Sequence, residues 1–296
     1  MNIFRTSINK LDGFKQLSSA VEGGFLPCSV TGVSGIHKAQ MIFGLFGEKS
    51  ILAVTDDEAS ARRFCDDINE LNSETISYLY PAKDFNFIDA EGVSREYEYQ
   101  RLAVLSKLLS GEKIIVTASA EAVLQRTISP DKLKKHTLTL KTSDEVSIKE
   151  LSEKLISCGY TRSDQVEGAS QFSVRGAIID IFPVQSAFPY RIELWGDEID
   201  TISSFDTETQ RRIDTVNKII VSPASEVIYD SADELIEKIS ALSKSIKGKH
   251  TELIRQKLEN DIERLKSGIG LYNIDKYLPL CDTPSEILDY MNGLVC

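Results

Sequence analysis

The chain has 296 residues, 42% of them apolar and 27% charged, and a net charge of -11. This composition excludes the disordered and fibrous classes and leaves room for two domains. The acidic balance argues against a dominant non-specific nucleic-acid footprint, which rests on clustered Lys and Arg.

Cysteines stand at 28, 65, 158, 281 and 296 without a CxxC pair, and the histidines at 37, 136 and 250 are isolated. Neither a disulfide framework nor a metal site is expected from such spacing. The opening residues, MNIFRTSINKLDGF, never give an uninterrupted apolar run. Neither a signal peptide nor a membrane span is therefore expected, and a cytoplasmic location is.

Over the first 130 residues, strand and helix signals alternate. SVTGV (29–33), ILAVTDD (51–57), ISYLYPAKDF (76–85) and KIIVTAS (113–119) read as strands, with EASARRFCDDINELN and REYEYQRLAVLSKLLSG as helices between them. Such alternation predicts βαβ units around a parallel sheet. In the second helix Tyr99, Leu102, Leu105 and Leu109 recur at helical spacing, with Ser94 placed to cap it and Gly111 to end it.

The character changes between 131 and 144, where KLKKHTLTLKTSDEVS is polar and basic, and a domain boundary is expected there. A helix, SIKELSEKLISCGY, follows. QFSVRGAIIDIFP, PYRIELWG and DEIDTISSFD then succeed one another with short turns, which predicts an antiparallel sheet in a small α+β domain. Beyond about Val221 the chain turns helical and charged, and Ile254, Leu258, Ile262 and Leu265 outline an amphipathic surface helix.

Two stretches carry chemistry. GVSGIHKA (32–39) nearly fits the phosphate-binding pattern GxxxxGK[ST], keeping Gly32, Gly35 and Lys38. His37 replaces the glycine that lets the backbone approach phosphate, and Ala39 replaces the hydroxyl that holds magnesium. No apolar strand ending in Asp-Glu follows the loop, and Asp180 within IIDIF reads as part of a simple strand. ATP hydrolysis by this chain is not expected; a P-loop ATPase acting on DNA is the alternative, resting on Lys38 alone.

In PYRIELWG, alternation places Tyr190, Ile192 and Leu194 on one face and Arg191, Glu193 and Trp195 on the other. The only tryptophan of the chain thus falls on the wetter face beside an arginine. Either another element covers it, a bulge shifts the register, or it belongs to a binding patch, because Trp and Arg are frequent interface hot spots. Arg175 joins this face if Gly176 allows a bulge.

GVSGIHKA, the stretch YPAKDFNFIDAEGVSREYEYQRLAVLSKLLSGEKIIVTASAEAV and, above all, residues 159–212 resemble the amino-terminal module of bacterial transcription-repair coupling factors. That module is similar to the excision-repair protein UvrB. The resemblance implies a RecA-like P-loop-type α/β domain with a parallel sheet, interrupted by a small inserted α+β domain with an antiparallel sheet. It implies a first RecA-like part at 1–135, an inserted UvrA-binding domain at 136–222 and a second RecA-like part at 223–296. UvrB keeps an intact phosphate loop and the coupling factors a degenerate one, so His37 and Ala39 favour the latter and a chain without catalytic residues, metal or cofactor.

Carried over, the UvrA-binding residues are Arg175, Arg191 and Trp195, where relatives often have Phe for Trp195; the arginines are expected to pair with carboxylates on UvrA. RNA polymerase and DNA would bind through parts of the family's proteins that are absent here, as would ATP and magnesium in a translocase motor. A further alternative, compatible with the first, is that the patch is hidden against that motor in the whole protein. The sequence stops about where another strand of the RecA-like domain is expected, as an excised fragment would.

Overall fold

The computed structural model describes residues 2–83, 95–248, 250–267, 271 and 273–296. Its contacts divide the chain into two compact units, one comprising 1–83, 104–125 and 286–296, the other 84–103 and 126–285. Ser94 and the rest of the stretch 84–94 lie outside the described residues.

The chain opens with helices α1 (Ile3–Ile8), α2 (Asp12–Glu22) and α3 (Gly35–Leu45). There follow β1 (Ile51–Thr55), α4 (Glu58–Glu70), β2 (Ser77–Tyr80), α5 (Glu96–Leu109), β3 (Ile115–Ser119) and α6 (Ala120–Leu124). Helix α4 starts where it does because the Asp57 side chain accepts the Ser60 amide at 2.7 Å, satisfying an otherwise unpaired donor of the first turn. Ala61, Cys65 and Ile68 recur at helical spacing and are buried, so this face of α4 packs inward.

The sheet of the first unit is parallel, as the alternating pattern predicts. Its order is β12-β1-β3-β2, where β12 is Leu294–Val295, and Ile51 lies opposite both Leu294 and Ile115. Ala39, Phe43, Ile51, Ile68, Leu71 and Ile115 form one buried apolar cluster beside it. The expected strand at 29–33 is absent. Gly32 has φ 77°, a left-handed conformation that no pleated strand accommodates, and the segment is largely exposed.

In the second unit, 131–144 is occupied by regular elements, α7 (Pro130–His136) and β4 (Leu138–Lys141). Ser129 caps α7 and Pro130 begins it, so the polar and basic KLKKH is helical. After α8 (Ile148–Ser157) come β5 (Thr161–Arg162), β6 (Gln171–Arg175), β7 (Ile178–Ile181), β8 (Tyr190–Trp195), β9 (Glu198–Phe205), β10 (Arg212–Val216) and β11 (Lys218–Val221). Strands β5 to β10 form one sheet in the order β10-β9-β8-β7-β6-β5, antiparallel except for the β5–β6 pair. Strands β4 and β11 pair separately, with Leu138 opposite Val221, so the two ends of this stretch meet in a ribbon.

One face of the six-stranded sheet is apolar and buried. Phe172, Ile179, Ile181, Ile192 and Ile202 lie there with Leu151 and Leu155 of α8. The unit ends in α9 (Ala232–Ser245), α10 (Thr251–Lys266) and α11 (Leu278–Cys281). Leu258 and Leu265 of α10 are buried with Leu235 and Ile239 of α9, whereas Ile254 is exposed, so α10 is amphipathic over its second half.

Elsewhere in this unit a fully buried ion pair joins α5 to the segment after β11. Arg101 Nε donates to Glu226 Oε1 at 2.7 Å, and Thr127 Oγ1 donates to Glu226 Oε2 at 2.6 Å. Removing one partner would leave a charge in a medium that solvates it poorly. Arg101→Met is accordingly expected to cost about 3–5 kcal/mol in urea unfolding; a loss below about 1 kcal/mol would reduce the pair to ordinary packing.

Candidate functional site

The polar face of the six-stranded sheet gathers the residues of interest. Register places Ser173, Asp180, Arg191 and Ser203 directly opposite one another across β6, β7, β8 and β9. Residues directly opposite share a face, so this row lies behind the apolar one. Arg175 is two residues from Ser173 and Glu193 two from Arg191, which adds both to it by plain alternation.

Asp180 is the centre of the row. Its carboxylate is 1% exposed, and Arg191 grips it with both arms of the guanidinium, Nε to Oδ1 at 2.8 Å and Nη2 to Oδ2 at 2.9 Å. Arg175 Nη2 also donates to Oδ2. A two-pronged arginine–carboxylate contact fixes direction as well as distance. Bonding to Asp180 raises the Arg191 pKa further above its ordinary value, against a smaller opposing effect of burial.

Arg191 has two more partners: its Nη2 donates to Gln210 Oε1 at 3.0 Å, and its guanidinium lies 4.5 Å from the centre of the Phe205 ring. Beside it Arg212 pairs with Glu193, and Thr201 Oγ1 donates to Glu193 at 3.1 Å. The serines of the row are 1% exposed, and their hydroxyls have no hydrogen-bond partner among the described residues. Arg175, Arg191 and Arg212 thus meet Asp180 and Glu193 on this face, and Glu198 stands opposite Trp195.

The two arginines expected to pair with a partner's carboxylates differ in what already holds them. Arg191 is committed to Asp180 and Gln210 and only 19% of its side chain is exposed. Arg175 makes one bond among the described residues and is 46% exposed. Its position needs no bulge, because Gly176 at φ 62° makes a tight turn between Arg175 and Ile178, which face each other.

Trp195 ends β8 with 85% of its surface exposed. A register shift does occur beside it, between Glu193 and Leu194 on the β8–β9 pair. The shift leaves Leu194 in the core and the indole in solvent. Among the described residues of the second unit nothing covers the ring, and an apolar side chain so exposed gains by being buried elsewhere.

The stretch GVSGIHKA lies in the first unit. Gly35 begins α3 behind Ser34, His37 and Lys38 are exposed on its first turn, and Ala39 is fully buried against Phe43 and Ile115. A hydroxyl at position 39 would therefore face the apolar cluster rather than a metal. Sequence reasoning recorded Asp180 as an incidental strand residue and passed over Gln210. The signal for Asp180 was its place between the core residues Ile179 and Ile181, which alternation turns toward the arginine face.

Among the described residues, no group of three or more His, Cys, Asp or Glu could hold a metal ion, and no helix is long and apolar enough to cross a membrane.

Residues 138–227 match the family described as UvrB interaction domain. The chain is 31% identical over 300 residues to a transcription-repair-coupling factor of Bacillus subtilis (strain 168), covering 98% of the chain and 26% of the relative. It is 27% identical over 299 residues to that of Staphylococcus aureus (strain bovine RF122 / ET3-1), covering 98% and 25%. With the protein of the same name from Staphylococcus epidermidis (strain ATCC 12228 / FDA PCI 1200) it shares 29% over 272 residues, covering 88% and 23%. The chain thus spans about a quarter of the length of the curated relatives it matches. By these matches the chain is similar, along almost its whole length, to part of the transcription-repair-coupling factors, and it includes a segment that matches the UvrB interaction domain.

Proposed function

We propose that this chain is a non-catalytic, UvrB-like binding module that docks UvrA and so brings nucleotide excision repair to RNA polymerase stalled at DNA damage. The observation that carries the reading is Trp195, 85% exposed at the edge of a face rich in arginine, within the segment that matches a UvrB interaction domain. The indole supplies apolar area that desolvates on docking, and the unspent N–H groups of Arg175 offer a fork that fits a carboxylate. Arg191 contributes as part of the platform beneath them.

In this reading the first unit is a RecA-like, P-loop-type scaffold whose nucleotide chemistry has been lost. The exposed Lys38 and the buried Ala39 support the loss of that chemistry. The whole protein would be an ATP-dependent DNA translocase, with motor, polymerase contacts and DNA contacts lying outside the stretch studied.

Trp195→Ala is expected to weaken UvrA binding by about 2 kcal/mol, roughly thirtyfold, while leaving thermal unfolding unchanged. Wild-type affinity in that variant would remove Trp195 from the interface. Titration with ATP and magnesium should give neither micromolar binding nor turnover; either result would favour the P-loop ATPase reading.

A further inference from the structure

The turn between β9 and β10 is built tightly around a single side chain. Asp206 Oδ1 accepts the Thr209 amide and the Thr209 hydroxyl, both at 2.7 Å, and these bonds hold the Asp206 carboxyl below its ordinary pKa. The Gln210 amide donates to the Asp206 carbonyl at 2.8 Å, and the Asp206 amide donates to the Arg211 carbonyl at 2.9 Å. Closing the turn in this way puts Gln210 at φ 58°. That is left-handed backbone, which is disfavoured for a residue with a Cβ.

A glycine would take this conformation at no steric cost. The side chain present instead is used at both ends: Nε2 donates to the Thr207 carbonyl at 2.8 Å, and Oε1 receives Arg191 Nη2 at 3.0 Å. The amide is thereby aimed, and its oxygen accepts from Nη2, the same nitrogen that donates to Asp180 Oδ2. Arg191 is clamped between Asp180 on β7 and Gln210 in the turn, with the Phe205 ring against it.

Together these features assign a purpose to the strained residue. We propose that Gln210 and Asp180 are positioning residues of the docking face: they lock Arg191 flat on the sheet, which sets the height and direction of Arg175 and keeps Asp180 from competing with the partner's carboxylate. Asp180 spends its charge on two arginines at once, so Arg175 is held at one nitrogen and presents the rest outward. The inference rests on the docking function proposed above.

A residue retained for binding at a strained site gives a distinctive signature, because binding and stability move apart when it is relieved. Gln210→Gly is expected to unfold at the same temperature as wild type or a higher one, yet to bind UvrA about five- to tenfold more weakly. A merely structural residue would lose both together. The loss should vanish in the Arg191→Ala background, since Gln210 acts through that guanidinium. Asp180→Asn, which keeps the shape and removes the charge, should weaken binding more than Gln210→Gly, and part of its loss should persist once Arg191 is gone, because Asp180 also holds Arg175.

Purified UvrA is titrated with the 296-residue chain and each variant, and unfolding of each variant is followed by circular dichroism. Unchanged affinity in Gln210→Gly, or loss of affinity that tracks loss of stability, overturns the inference. So does undiminished loss in the Arg191→Ala background. Trp195→Ala separates the two levels. If it binds normally, Trp195 lies outside the interface and both readings of this face fall; if it binds weakly while Gln210→Gly and Asp180→Asn bind normally, the docking reading stands and the positioning role falls.

Discussion

A carboxylate shut away from water between two arginines is the constraint on which the candidate site depends. Asp180 is 1% exposed, and the desolvation of its charge is offset only if both arginines stay near. Strand β7 cannot slip by one residue relative to β8, because the slip would turn Asp180 into the core and Ile179 and Ile181 out of it. The apolar face therefore fixes the register, and the register fixes the polar face. Arg175, Arg191 and Trp195 come from two strands separated by β7, yet they belong to one surface for this reason.

The consequence for recognition is a division of labour. A guanidinium held on three sides has little rotamer freedom left to lose, so a partner meeting it spends no entropy on ordering it. Arg191 is preorganised in this sense, with a carboxylate, an amide and a ring around it. Arg175 and Trp195, by contrast, are the exposed groups and supply what changes on contact. The arginines of this face fit an acidic patch on a partner, and the net charge of -11 argues against broad attraction of nucleic acid.

Much of this was legible in the sequence, and the reasons differ by feature. PYRIELWG gave the two faces of β8 correctly, because period-two alternation is a local property. The parallel sheet of the first unit followed from strands separated by helices of ten or more residues, again a local pattern. Asp180 was not legible as the hub, since its role depends on which residues of β6 and β8 come opposite it, and pairing register is a property of the whole sheet. SVTGV failed as a strand because β-branched residues make a strand only where a partner accepts them, and the left-handed Gly32 in its middle denies one. His37 and Ala39 were legible as misfits to a phosphate loop; that Ala39 is a core residue became visible only with the packing of α3.

Trp195 is the sole tryptophan, so one probe reports on the central claim without ambiguity. The most direct measurement is the fluorine NMR spectrum of the 296-residue chain grown with 5-fluorotryptophan, recorded before and after adding unlabelled UvrA. If the indole is the anchor, its single resonance moves and broadens saturably as the ring leaves water. A resonance that keeps its position and width while UvrA is shown by sedimentation to be bound would contradict the account and put the docking surface elsewhere.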